Sequence, residues 1–117
     1  MRADLEIIQQ WIATESRVLD LGCGDGSFLA HLKKEKTIRD CGLEIDADNI
    51  NLCLQAGVNV IEQDLNKGLS NFESGSFDTV LLAQTLQTVE RPDILVEEML
   101  RIGKNCIITF PNFAHWR

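Results

Sequence analysis

The sequence predicts one α/β domain, a mostly parallel sheet with helices on both faces. Three observations predict it. Short apolar runs alternate with helix-patterned segments, which is the signature of βαβ units. The first apolar run opens onto glycines at alternate positions, Gly22, Gly24 and Gly26. A chain of 117 residues, 44% hydrophobic and 25% charged, fills one core and no more.

The elements follow in order. Leu5, Ile8 and Ile12, with Trp11 beside them, recur at helical spacing near the N-terminus. Arg17–Leu21 is a compact apolar run and the first strand. Ser27 to about Lys36 is a helix with Phe28, Leu29 and Leu32 on one side and a KKEK tail. Cys41–Ile45 is the second strand. Asp46 to Ala56 forms the next helix, with Asp46 a good N-cap, Asp48 in its first turn and Gly57 at its end. Residues 58–61 form the third strand, and 66–76 a polar loop with one helical turn around Leu69 and Phe72. Phe77–Ala83 is the fourth strand. Pro92 and Asp93 open a helix that Ile94, Leu95, Met99 and Ile102 carry to Gly103. Asn105–Phe110 is the fifth strand, stopped by Pro111. The whole of 1–117 reads as one Rossmann-like domain without repeats or linkers.

Composition excludes several partner classes. Eleven basic against eighteen acidic residues leave a formal charge of −7, which disfavours nucleic acid and anionic membranes. No apolar run approaches the roughly 18 residues that cross a bilayer, and the N-terminus lacks a signal peptide's apolar core. Cys23, Cys41, Cys53 and Cys106 form no CxxC pair, so they are expected to be reduced, mostly buried thiols of a cytoplasmic protein, and no metal site is expected.

In such a sheet, ligands bind beyond the carboxyl ends of the strands, where strand order reverses. The first strand runs into Leu21-Gly22-Cys23-Gly24-Asp25-Gly26, and its glycines let the backbone turn sharply and a ligand lie against it. Neither glycine register completes G-x-G-x-x-G, and no Gly-Lys-Ser/Thr follows. Asp20 and Asp25 flank the turn, so a pyrophosphate there would face two carboxylates, whereas a cation would be attracted. S-adenosylmethionine, with a sulfonium, an ammonium and a single carboxylate, fits that charge better than NAD. Glu44 ends the second strand, placed to accept from both hydroxyls of an adenosine ribose, with Ile45 beside the adenine face. Asp64, after the third strand, is placed to accept from an exocyclic amine. Three carboxylates at successive strand ends thus describe an adenosine site.

These segments are similar to the motifs of a known family. VLDLGCGDG, GLEID, the QDL at 63–65 and SFDTVLLAQTLQ resemble class I S-adenosylmethionine-dependent methyltransferases. More narrowly, LDLGCGDGSFLAHL, GLEIDADNI, AQTLQ, RPDILVEEMLRIGK and the closing FPNFAHWR resemble the MetW family of methionine biosynthesis. The resemblance implies a class I three-layer sandwich, truncated here after its fifth strand where the class has seven. It implies that Asp20, Gly22, Gly24 and Gly26 frame the methionine part of S-adenosylmethionine. Glu44 would hold the ribose, Ile45 would lie beside the adenine, Asp64 and Leu65 would read its edge, and Ala83 or Gln84 would close the pocket. It also implies a homoserine O-acyltransferase as partner.

Two functional expectations stand side by side. One is a methyltransferase acting on an unidentified small molecule by in-line displacement, for which positioning supplies much of the catalysis. The other is a cofactor-sensing subunit that acts on the acyltransferase by contact. The absence of an evident general base (Gln84 and Gln87 cannot take a proton) and the aromatic tail around Phe110, Phe113, His115 and Trp116 lean toward the second. His31, among lysines, is expected to be a solvated or helix-end imidazole. A nucleotide-dependent oxidoreductase is disfavoured by the acidic turn.

Overall fold

The computed structural model describes residues 3–83 and 89–109. In chain order the elements are α1 (Ala3–Gln10), β1 (Arg17–Leu21), α2 (Ser27–Lys36), β2 (Arg39–Glu44), α3 (Ala47–Gln55), β3 (Val60–Glu62), a 3₁₀ turn (Leu65–Lys67), β4 (Phe77–Ala83), α4 (Pro92–Ile102) and β5 (Gly103–Thr109). The strands form one sheet in the order β3-β2-β1-β4-β5, and every pairing is parallel. Strand order reverses between β1 and β4, which makes the space beyond their carboxyl ends the place for a ligand.

Side chains alternate across the sheet because the strand period is two. Val18 and Leu81 face a core closed by Ile8, Ile12, Phe28, Leu29, Leu32, Cys53 and Val58, which belong to or adjoin α1, α2 and α3. Leu19, Leu21, Leu43, Val80 and Leu82 face the other core, closed by Leu95, Met99 and Ile102 of α4 and by Leu69. A sheet covered on both faces needs apolar residues at nearly every central position, and this is why its strands read as continuous apolar runs. The three-layer architecture is as the sequence predicts.

Several boundaries differ from the sequence reading, each for a local reason. β3 starts at Val60 rather than at 58: Val58 is buried in the first core, and Asn59 turns its backbone N–H and side-chain amide onto the Asp40 carboxylate at 2.8 and 3.2 Å. β2 begins at Arg39 and ends at Glu44, leaving Ile45 outside. The one helical turn of the polar loop lies at Leu65–Lys67, not around Leu69 and Phe72, because Asp64 caps it through Asn66 N–H and Gly68 ends it at φ 85°. The loop beyond is held by Arg101, whose guanidinium donates to the carbonyls of Leu69 and Phe72 at 3.0 and 2.9 Å. β5 starts directly at Gly103, where a Cβ would stand 2.5 Å from Val80 Cγ2. Asp46 caps α3 by accepting from Asn49 N–H at 3.0 Å, and Asp48 lies in its first turn, both as expected. Among the described residues no helix is long and apolar enough to cross a membrane.

Candidate functional site

The β1–α2 connection is built from residues that need the left-handed region. Gly22, Gly24 and Gly26 have φ of 74°, 62° and 81°, a conformation that costs a residue with a Cβ about 1–2 kcal/mol. The turn stays against the sheet because Gly22 and Cys23 donate to the Leu43 carbonyl at 2.8 and 2.9 Å. Glu44, leaving β2, reaches the turn itself. Its Oε1 accepts from Gly24 N–H at 2.8 Å, and its Oε2 accepts from Ile45 and Asp46 N–H at 3.2 and 3.0 Å.

Two cavities flank this turn and share Gly22. The first, about 280 Å³, is lined by Gly22, Leu43, Glu44, Ile45, Gln63, Asp64, Leu65, Asn66 and Val89. The second, about 220 Å³, lies over the β1–β4 reversal and includes Asp20, Gly22, Gly24, Phe28 and Ala83. Gly24 opens onto solvent space, since a Cβ there would meet nothing within 4 Å.

The residues singled out from sequence therefore fall into two groups with Gly22 common to both. Glu44, Ile45, Asp64 and Leu65 surround the first cavity, and Asp20, Gly24 and Ala83 the second. Gly26 is the exception. It lines neither cavity, and a Cβ on it would stand 2.9 Å from Cys53 Sγ and 3.2 Å from Cys53 Cα, so it is the close-packing point of turn on α3 and the N-cap of α2. Gln84 lies outside the described residues, as do Gln87, Phe110, Phe113, His115 and Trp116. His31 is half-buried and bonded to Gln9 at 2.9 Å, rather than simply solvated.

Electrostatics at the site are acidic. Asp20 is buried at the end of β1, and desolvation together with the nearby Glu44 carboxylate pushes its pKa up to about 7. Asp25 is exposed and held below the usual carboxylate range, first by Ser27 N–H, which donates to it at 2.9 Å. Asp64 spends one oxygen on Asn66 N–H, at 2.9 Å, as a cap. Among the described residues no cluster of His, Cys, Asp and Glu has the geometry to hold a metal. All four cysteines are free; Cys23 and Cys53 are buried, while Cys41 and Cys106 are only partly so.

Sequence reasoning passed over Gln63, Asn66 and Val89 in the first cavity. Gln63 and Asn66 flank the Asp64-Leu65 pair already singled out, so adjacency was the available signal. Gln63 is fixed by a reciprocal amide pair with Asn71, at 2.8 and 3.0 Å. Asn66 accepts from Glu90 N–H at 2.9 Å and so draws the segment before α4 up to the cavity. That contact spans 24 residues and has no local signature.

The family model described as methionine biosynthesis protein MetW matches residues 2–117. The bifunctional methionine biosynthesis protein MetXA/MetW of Rhodopirellula baltica is 41% identical over 123 residues, covering 98% of this chain and 20% of that protein. This chain therefore spans about a fifth of the length of that relative. A SAM dependent methyltransferase from Archaeoglobus fulgidus superposes with a TM-score of 0.76 at 30% identity, over 87% of this chain and 46% of that one. Haemonchus contortus phosphoethanolamine N-methyltransferase 2, solved in complex with S-adenosyl-L-methionine, gives 0.79 at 24% identity over 92% and 27%, a likeness of fold. With its glycine turn, its parallel sheet and a family match that runs from residue 2 to residue 117, the chain belongs to the MetW family of methionine biosynthesis proteins.

Proposed function

We propose that the two cavities about Gly22 bind S-adenosylmethionine and that the protein transfers its methyl group to a small molecule in methionine biosynthesis, in the cytoplasm. The observation that carries this reading is the arrangement of Asp20, Glu44 and Asp64 around one glycine turn. That donor set suits the ligand. Carboxylates accept from ribose hydroxyls and an exocyclic amine and attract a cation, while a pyrophosphate would be repelled. When bound, S-adenosylmethionine supplies an electrophilic methyl on a sulfonium.

The chain's own residues act by binding and orienting. Glu44 is placed for the ribose, Ile45 for the adenine face, and Asp64 with Leu65 for the adenine edge. Asp20, Gly22 and Gly24 frame the second cavity for the methionine portion, with Ala83 on its β4 side. Gln84 adjoins Ala83 in the chain and is proposed to close that side. Holding the methyl toward the second cavity is the contribution that positioning makes to an in-line displacement.

A second reading, a non-catalytic subunit that senses the cofactor beside a homoserine O-acyltransferase, is favoured by one observation: the relative from Rhodopirellula baltica carries MetXA and MetW in a single bifunctional protein. Titration calorimetry with S-adenosylmethionine, S-adenosylhomocysteine and NAD tests the shared premise, and preference for NAD would overturn it. Incubation with methyl-labelled cofactor, with and without the acyltransferase, separates the two readings. Label in a small-molecule product identifies an enzyme, and a changed acyl-transfer rate without methylation identifies a subunit.

A further inference from the structure

We propose that Cys53 is a positioning residue for the glycine turn, its thiol holding the Gly24 carbonyl so that the turn presents its backbone to the ligand. The inference rests on the reading that S-adenosylmethionine binds at this turn, and it adds how the turn is kept in shape.

One sulfur meets the turn at three points. Cys53 Sγ, fully buried on α3, donates to Gly24 O at 3.2 Å. It lies 3.6 Å from Cys23 Sγ, and a Cβ on Gly26 would come within 2.9 Å of it. With the Cys53 proton given to Gly24 O, the Cys23 thiol is left to donate to the Cys53 sulfur. The Gly24 carbonyl is thus held from α3 while the Gly24 N–H is held from β2 by Glu44 at 2.8 Å. Both polar groups of Gly24 are held by the protein, while a Cβ there would meet nothing within 4 Å and the residue lines the second cavity.

The arrangement needs a thiol that keeps its proton, since only S–H donates. Burial is the largest influence on both thiols and raises both pKa values; the hydrogen bond from Cys23 works against it at Cys53, while the carboxylates of Glu44, Asp25 and Asp20 act with burial there, and the net direction at both thiols is upward. A residue that merely filled space under the turn would have no need of a donor. Serine tests the distinction, because it keeps the donor, whereas alanine removes both donor and bulk.

The experiment compares wild-type protein with Cys53→Ala and Cys53→Ser by calorimetric titration of S-adenosylhomocysteine, together with amide hydrogen exchange at Gly24 and Gly26 in the unliganded protein. Loss of one hydrogen bond at the turn predicts affinity roughly 3- to 10-fold weaker in Cys53→Ala, faster exchange at Gly24, and recovery of most of both in Cys53→Ser. Wild-type affinity in Cys53→Ala, or equal weakening in both variants, overturns the proposal. If wild-type protein binds neither S-adenosyl compound, the functional reading falls, and amide exchange alone decides the positioning role: faster Gly24 exchange in alanine than in serine supports it, and equal exchange overturns it. Should Cys53→Ala fail to fold, the S–H infrared band present in unliganded wild type and missing from Cys53→Ser decides; a band lowered in frequency by hydrogen bonding supports the role, and a band at the frequency of a free thiol overturns it.

Discussion

Glu44 Oε1 accepts a hydrogen bond from Gly24 N–H at 2.8 Å, joining the end of β2 to the glycine turn after β1. The two residues lie 20 positions apart in the chain, and their contact makes one carboxylate both a wall of the first cavity and a brace for the second.

Glu44→Ala is accordingly expected to act twice. It removes acceptors from three backbone N–H groups, of Gly24, Ile45 and Asp46, so stability falls by about 1–2 kcal/mol, and affinity for S-adenosylmethionine falls by about 1–3 kcal/mol. Glu44→Gln recovers only part, because its amide NH₂ confronts a backbone donor. Urea unfolding and calorimetry measure the two effects, and unchanged affinity in Glu44→Ala would remove the ribose assignment.

Asp20 predicts a pH dependence of binding. Its pKa of about 7, raised by burial and then by Glu44, leaves it largely neutral at pH 6 and charged at pH 8. A cationic ligand favours the charged form, so affinity for S-adenosylmethionine should rise roughly tenfold from pH 6 to pH 8. In Asp20→Asn this dependence should vanish, with affinity held at the weaker level. A flat profile in wild-type protein would mean that Asp20 does not face the positive part of the ligand.

The same shift has a consequence for folding. A carboxyl group whose folded pKa lies above its unfolded value gives stability that is complete below the unfolded pKa, near 4, and is lost as pH rises through the folded value of about 7. Asp78 acts in the opposite sense. Hydrogen bonds from the Arg17 side chain and then from Arg17 N–H (2.8 Å) hold its pKa at about 2, so its contribution is present above pH 4 and lost as pH falls through about 2. Thermal melts across pH should therefore show greatest stability in the mildly acidic range, Asp20→Asn flattening the alkaline side and Asp78→Asn the acid side.

Glycine substitutions separate space from backbone strain. Gly42→Ala brings a Cβ to 2.5 Å from Cys23 Sγ, without a left-handed φ, and should cost about 1–3 kcal/mol by overpacking. Gly24→Ala meets nothing within 4 Å, and its φ of 62° should cost about 1–2 kcal/mol. Gly26→Ala combines both faults, at φ 81° and 2.9 Å from Cys53 Sγ, and should be the least stable of the three. Ligand affinity, by contrast, should suffer most in Gly24→Ala, whose Cβ enters the open side of the turn. Urea midpoints and calorimetry read the two orders, and Gly24→Ala as the least stable variant would contradict this account.

The sequence by itself determined the layers and the strand that leads into the turn, and it named many of the residues that line the two cavities. Apolar runs and helical spacing are local signals, and a sheet buried on both faces writes them strongly. The β1 strand was legible for the same reason, as were the cap at Asp46 and the first-turn proline at Pro92, because each acts within a few residues of itself. Tertiary structure alone decided the rest. It gave Gly26 to packing on Cys53 instead of to a cavity wall, and brought Asn66 to Glu90. It also made a generic buried thiol, Cys53, the support of the Gly24 carbonyl. These depend on which residues meet across layers, at separations of 24 to 29 positions, and no local pattern encodes an encounter that only the folded sheet creates.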